Sequence, residues 1–364
     1  MADVPWWQIL LGMEAPQSNV LCVVLILAGM ALITKGGDLF TDSAVAIARA
    51  TRIPPVIIGA TIVSVATTFP EYMVSLTSVL QEQPEFAVGN ALGSCCCNIG
   101  LIVGTCAILK GILAKKRNEE AGIPVNRVTL LGPGLFMLTA GFAVWCFSMF
   151  DNAGLMNEKG DLVPYALSRW QGAVLAVLLV IYLGYSLRTA LKARFETTMT
   201  EEGTEVEQEI REQIGKQFVM FVLGAFLVVL GSRLMVASAA HLAGEFGVPE
   251  LIVGLTVLAI GTSLPEYTIS LMAVIKGHGS LGIGNIIGAN VLNICWVVAT
   301  CSLIKPLPIQ PQTIILDGPV MLLLMITMLA LGWRRERISM SDGVVLCSIF
   351  AVYYVIMFSV FIDH

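Results

Sequence analysis

Apolar stretches of about 20 residues or more recur along this chain, separated by short polar breaks, near 18–48, 55–80, 86–110, 128–149, 167–189, 216–242, 250–275, 281–304, 314–333 and 343–362. Each can cross the roughly 30 Å hydrocarbon core as a helix, the one open-chain structure that satisfies its own backbone there. The pattern predicts an all-α polytopic membrane protein of ten transmembrane helices. The long first run must tilt or bend, and Gly36-Gly37 offers a place for it. An even number of spans puts both termini on one side.

Composition agrees with this reading. The 364 residues are 56% hydrophobic and 13% charged, with mean hydropathy +0.83, against about 25% charged in a soluble domain. There is too little polar material to wet a soluble surface. Of the 21 Lys and Arg, sixteen fall in the odd-numbered connections, and only Lys159, Arg169 and Lys305 in the even ones. The last two, Lys35 and Arg233, fall within spans. The positive-inside bias makes the odd loops cytoplasmic and both termini extracytoplasmic. Segment 1–17 lacks a basic n-region and reads as an extracytoplasmic segment rather than a signal peptide. The Glu-rich connection 190–215 reads as a solvated helical cytoplasmic linker between five-helix units 18–189 and 216–364. No basic stripe interleaved with aromatics suggests nucleic acid, and no obligate protein partner is evident.

Shifted by 195 residues, the sequence matches itself without a gap from Gly36 to Cys106. "IPPVIIGATIVSVATTFPEYMVSL" lies over "VPELIVGLTVLAIGTSLPEYTISL", and "GNALGSCCCNI" over "GNIIGANVLNI". A unit of five spans is odd, so its second copy enters the membrane from the opposite side. Inverted repeats of this kind are the plan of secondary transporters, whose site lies near the midplane where the copies meet.

The repeated motifs place chemistry there. Pro70 and Pro265 donate no backbone hydrogen bond and push away the carbonyls of Ala66 and Gly261, so a broken turn is expected at each. Glu71 and Glu266 follow, each near the middle of its run. A carboxylate in that position is costly and reads as an ion or proton site. Thr67, Thr68, Thr262 and Ser263 add hydroxyls. Asn90, Ser94 and Asn98 recur every four residues on one face, and Asn285, Ala289 and Asn293 repeat the spacing. Gly89/Gly93 and Gly284/Gly288 are GxxxG pairs, which let helix backbones approach closely. Carboxylates, amides, hydroxyls and carbonyls form an all-oxygen set suited to hard cations such as Ca²⁺ and Na⁺.

These motifs, "TTFPE…GNALGSCCCN" and "GTSLPE…GNIIGANVLN", resemble the two alpha repeats of the cation/calcium exchanger superfamily, most of all its compact prokaryotic sodium/calcium exchangers. The resemblance implies that Glu71 and Glu266 ligate Ca²⁺ and Na⁺. It also implies further ion contacts from Thr67, Thr68, Ser94, Asn98, Thr262, Ser263 and Asn293, and from the carbonyls of Ser64 and Ala259. It implies a Ca²⁺/Na⁺ antiporter in a prokaryotic inner membrane, with no cofactor and only the two ions and the bilayer as partners. Spans 1 and 6 would slide past a core of spans 2, 3, 7 and 8. Two departures stand out. Members often carry Asn where this chain has Cys95, and several carry Asp at one of the positions of Asn98 and Asn293. With both Asn, two carboxylates remain, and H⁺ stands beside Na⁺ as the driving ion.

Other features read as structural. The nine Cys lie mostly within apolar runs and read as packing. Lys35 and Asp38 are one helical turn apart, so that they can pair, with Asp42 one turn on. The loop "DNAGLMNEKGD" lacks EF-hand spacing and reads as an ordinary turn. His241 and His278 lie near span ends and His364 is terminal. An enzyme is therefore the weakest reading, behind a H⁺/Ca²⁺ exchanger and a cation channel.

Overall fold

The computed structural model describes residues 18–51, 53–80, 84–118, 120–149, 151–156, 162–200, 214–245 and 263–361. Segment 1–17, the linker's middle (201–213) and stretch 246–262, which holds Ala259 and Thr262, lie outside the described residues.

The apolar runs are helices: α1 (Asn19–Thr51), α2 (Pro55–Leu80), α3 (Ala87–Arg117), α4 (Arg127–Phe147), α5 (Arg169–Thr200), α6 (Ile214–Glu245), α7 (Leu264–Ile275), α8 (Gly279–Ile304), α9 (Thr313–Arg335) and α10 (Met340–Phe361). Among the described residues nine helices are long and apolar enough to cross a membrane, and α7 is a shorter apolar one. Both ends of the linker continue neighbouring helices, since α5 runs on to Thr200 and α6 starts at Ile214. Helices α3 and α9 stop alike. A basic last turn (Lys115–Lys116–Arg117; Arg334–Arg335) meets the negative end of the helix dipole, and a left-handed residue follows, Asn118 at φ 54° and Glu336 at φ 53°.

Some local features recur at the 195-residue offset. Both α3 and α8 carry a π turn, Asn98–Val103 and Asn293–Val298, at the same 195-residue offset. The two first helices of the halves, α1 and α6, pack along their lengths through four glycines. A Cβ on Gly29 or Gly231 would lie 2.7 Å from the other's carbonyl oxygen, and one on Gly36 or Gly224 2.9 Å from the other's. Gly29 and Gly36 are the repeat counterparts of Gly224 and Gly231, so the contact maps onto itself. The numbers rise on one helix as they fall on the other, which makes α1 and α6 antiparallel. Helices α2 and α8 instead run parallel. Gly284 abuts the Val56 carbonyl, and a Cβ on Gly288 would lie 2.6 Å from the Ala60 carbonyl oxygen. That is the close approach expected of the second GxxxG pair. The segment that the repeat places opposite Gly89 and Gly93 falls within 246–262.

Short strands tie the loops together. β1 (Ile123–Pro124) pairs with β5 (Arg337–Ile338), and β2 (Asp151–Met156) with β3 (Leu162–Leu167), which also pairs with β4 (Leu307–Pro308). The first pairing joins the third connection to the ninth and the last joins the fourth to the eighth, so each unites loops of one parity. Polar links do the same. Arg127 pairs with Glu336 at 3.0 Å, Arg117 donates to the Ile275 carbonyl at 3.2 Å, and Arg169 donates to the Leu303 and Ile304 carbonyls at 3.1 Å.

Three local expectations are corrected. The "DNAGLMNEKGD" loop is more than an ordinary turn, because it carries β2 and leads to β3; the apolar run Leu162–Leu167 is too short for a span and is held as a strand by β2 and β4, with Ala166, Leu167 and Leu307 fully buried. Pro70 sits inside an unbroken helix, Ser64–Leu80, whereas Pro265 stands in the first turn of α7, where its missing N–H costs nothing. Asp38 pairs with Lys276 at the end of α7 (3.0 Å) rather than with Lys35, and Asp42 joins it at 2.8 Å. A tertiary cation thus displaces the local one.

Candidate functional site

Helices α2, α3, α7 and α8 contact one another in the interior, and their motifs converge there. Ser64, Thr67, Thr68, Glu71, Ser94, Asn98, Ser263, Glu266, Asn285 and Asn293 are all buried, with Glu71 1% and Glu266 0% exposed. Of the expected contact residues, Ala259 and Thr262 lie outside the described residues; the other nine are buried together in this four-helix interior.

Local bonds fix some of these groups and leave others open. Thr67 Oγ1 donates to the Ser64 carbonyl and to Asn285 Oδ1, each at 3.2 Å, which links α2 to α8 across the two halves. Asn90 Nδ2 donates to Ser75 Oγ at 3.0 Å and to the Glu71 carbonyl at 3.5 Å, which braces the helix that carries the carboxylate. Tyr72 stacks on Trp296 with ring centroids 4.5 Å apart. Tyr182 on α5 donates to the Ala60 carbonyl at 2.6 Å, holding the π turn Gly59–Val63 just before the site.

Several oxygens stay unused. Among the described residues, Thr68 Oγ1, Ser94 Oγ, Asn98 Oδ1, Ser263 Oγ, Asn293 Oδ1 and all four carboxyl oxygens of Glu71 and Glu266 have no hydrogen-bond partner. Buried polar atoms are nearly always paired, and each exception calls for a reason. Nine such oxygens in one interior have the chemistry of hard-cation donors, of which Ca²⁺ takes roughly six to eight.

Two buried residues were not singled out by the sequence reading. Asn290 on α8 is 0% exposed and accepts a hydrogen bond from Asn98 Nδ2 at 2.9 Å. Its signal was the repeat register, in which it is the counterpart of Cys95. Asp317, 6% exposed on α9, accepts from Gln312 Nε2 at 3.2 Å, Thr313 Oγ1 at 3.4 Å and Tyr353 OH at 3.0 Å. The rule that drew attention to Glu71 applies to it equally. The cysteines are free thiols packed largely in the core, Cys95 against the Asn290 carbonyl (3.8 Å) and Cys96 against that of Asp317 (3.9 Å).

A family model described as sodium/calcium exchanger protein matches residues 21–188 and 216–359. The putative antiporter CaxA of Alkalimonas amylolytica is 34% identical, covering 93% of this chain and 99% of its own. The sodium/calcium exchanger MaX1 of Methanosarcina acetivorans is 26% identical over 92% and 98%. Among solved structures, the sodium-calcium exchanger NCX_Mj superposes with TM-score 0.74 at 25% identity, covering 93% of this chain and 99% of that one. With most of the chain matched by the family model and the fold shared with a solved exchanger, this chain belongs to the sodium/calcium exchanger protein family and is an integral membrane transporter, not an enzyme.

Proposed function

We propose that this protein is a secondary active antiporter that exchanges Ca²⁺ for Na⁺ by alternating access, through one site shared by the two ions. The observation that carries the reading is the set of nine buried, unpartnered oxygens centred on Glu71 and Glu266. Two carboxylates balance one Ca²⁺, or an equal charge of Na⁺, so occupation by one ion excludes the other. That exclusion couples the fluxes. Thr67 and the carbonyls of Ser64 and Ala259, with Thr262, complete the proposed ligand set. MaX1 and NCX_Mj are sodium/calcium exchangers, which supports the same ion pair.

Ten spans in two inverted units are supported by the antiparallel, self-matching contact of α1 with α6 and by loop links of one parity. Their basic-residue asymmetry favours extracytoplasmic termini, and bacterial and archaeal relatives favour a prokaryotic inner membrane. The α1–α6 pair is the moving part. It packs on itself through glycines and meets α7 at Lys276. Crosslinks that fix α1 and α6 to the core yet leave exchange intact would refute that motion.

The rival reading, a H⁺/Ca²⁺ exchanger, draws on the Asn at both positions 98 and 293, which leaves Glu71 and Glu266 to carry the protons. The deciding experiment is ⁴⁵Ca²⁺ uptake into Na⁺-loaded proteoliposomes, with K⁺-loaded and pH-jump controls. Uptake that requires the outward Na⁺ gradient supports Na⁺ exchange. Uptake that follows the proton gradient and ignores Na⁺ replaces it with the rival.

A further inference from the structure

In the repeat register Asn98 is the counterpart of Asn293, and Cys95 is the counterpart of Asn290. Perfect symmetry would give both site amides the same neighbour from the opposite half. Here the neighbours differ in chemistry. Asn290 has one satisfactory orientation, because its Nδ2 lies 3.6 Å from Met137 Sδ and a thioether sulfur accepts but cannot donate. With Nδ2 turned to Met137, Oδ1 faces Asn98 and takes its Nδ2 hydrogen at 2.9 Å. The Asn98 amide is thereby turned with its nitrogen bound to α8 and its Oδ1 left unpartnered in the buried interior. A hard cation takes that oxygen, whereas the opposite flip would present it with N–H groups.

The other half has no such device. The Cys95 thiol gives its proton to the Asn290 carbonyl at 3.8 Å, and toward the neighbouring Asn293 N–H it offers only a weak sulfur acceptor in place of a carboxamide oxygen. Both Nδ2 and Oδ1 of Asn293 stay unpartnered among the described residues.

We propose that Asn290 is a positioning residue that locks Asn98 with its oxygen toward the ion, by a relay that starts at Met137, and that Cys95 leaves Asn293 free to turn. The two halves of the site then hold Ca²⁺ unequally, the first-repeat amide being preorganised and the second not. This inference rests on the Ca²⁺ exchange reading above.

The test is equilibrium Ca²⁺ binding and ⁴⁵Ca²⁺ flux on the purified full-length protein, comparing wild type with Asn290→Cys, Cys95→Asn and the double swap, and using Glu71→Gln as control. Losing one buried, oriented hydrogen bond weakens Ca²⁺ binding by about five- to tenfold. In Asn290→Cys the rise in half-saturating Ca²⁺ should exceed any fall in maximal rate. Cys95→Asn should leave Ca²⁺ affinity near wild type, because Gly332, at the 195-residue offset from Met137, has no sulfur to turn the new amide. The swap should for the same reason recover little of the loss. Wild-type affinity in folded Asn290→Cys, a loss confined to maximal rate, or a swap restored to wild-type affinity would each overturn the proposal. Wild type and Glu71→Gln alike failing to bind Ca²⁺ would instead remove the exchange reading beneath it.

Discussion

Gly288→Ala is the most informative single methyl to add. The new Cβ would lie 2.6 Å from the Ala60 carbonyl oxygen and 2.5 Å from Ser64 Oγ. The Ser64 hydroxyl can rotate away from its bond to the Thr61 carbonyl at 2.9 Å, but the Ala60 carbonyl belongs to a π turn pinned by Tyr182. A comfortable carbon–oxygen contact is about 3.3 Å, so α2 and α8 must part by roughly 0.7 Å. Overpacking of that kind costs about 1–3 kcal/mol. The functional loss should be larger, because α8 carries Asn285 and Asn293 and the opening stretches the Thr67–Asn285 bond, already 3.2 Å long. Misplacement by about 1 Å in a preorganised site can cost on the order of 100-fold. The assay pairs a thermal melt with ⁴⁵Ca²⁺ uptake in proteoliposomes. A modest fall in melting temperature with a loss of uptake of at least tenfold is expected. Full uptake with an unchanged melt would show that the close α2–α8 approach does not set the site, and the reasoning would fail.

Other outcomes follow from the same geometry. Glu71→Gln and Glu266→Gln should each abolish Ca²⁺-driven thermal stabilisation, yet raise the melting temperature of the ion-free protein, because each removes one of two like, unpartnered carboxylates from a dry interior; differential scanning fluorimetry with and without Ca²⁺ checks both signs. Lys276→Met breaks the links to Asp38 and Asp42. Since Asp42 is 68% exposed, the stability change should stay below about 1 kcal/mol, while the exchange rate changes more than Ca²⁺ affinity; equal changes in both would count against a role for α1 in access. Burial, then the nearby Arg49 and Lys276, hold the His278 imidazole below its ordinary value against the opposing pull of Asp42. Its neutral form is the one that folding favours. That contribution is complete above about pH 6.5 and is lost as pH falls through the lower folded-state value. Melting temperature should therefore fall less between pH 7 and pH 5 in His278→Gln than in wild type, and parallel profiles would contradict this.

The central pair was legible because two independent signals met on it: a carboxylate in mid-run is expensive, and the 195-residue repeat placed it twice. Asn98 and Asn293 were legible from their four-residue spacing to Ser94 and Ala289. Asn290 was not, since it stands off that face, and its contacts with Met137 and Asn98 come from other helices. Asp317 escaped although it is a carboxylate within the ninth run, because no repeat partner drew attention to it. Tertiary structure decided the rest. Lys276 reaches Asp38 from another helix, which spacing along α1 cannot foretell, and β3, besides its neighbour β2, pairs with β4, 140 residues or so further on.

The most direct test of a single shared site is equilibrium ⁴⁵Ca²⁺ binding to the purified protein as Na⁺ is raised at constant ionic strength. Apparent Ca²⁺ affinity should fall with Na⁺, more than one Na⁺ displacing each Ca²⁺, while the number of Ca²⁺ bound at saturation stays constant and Glu71→Gln binds none. Ca²⁺ bound undiminished at saturating Na⁺, or a full complement of Ca²⁺ on Glu71→Gln, would contradict it.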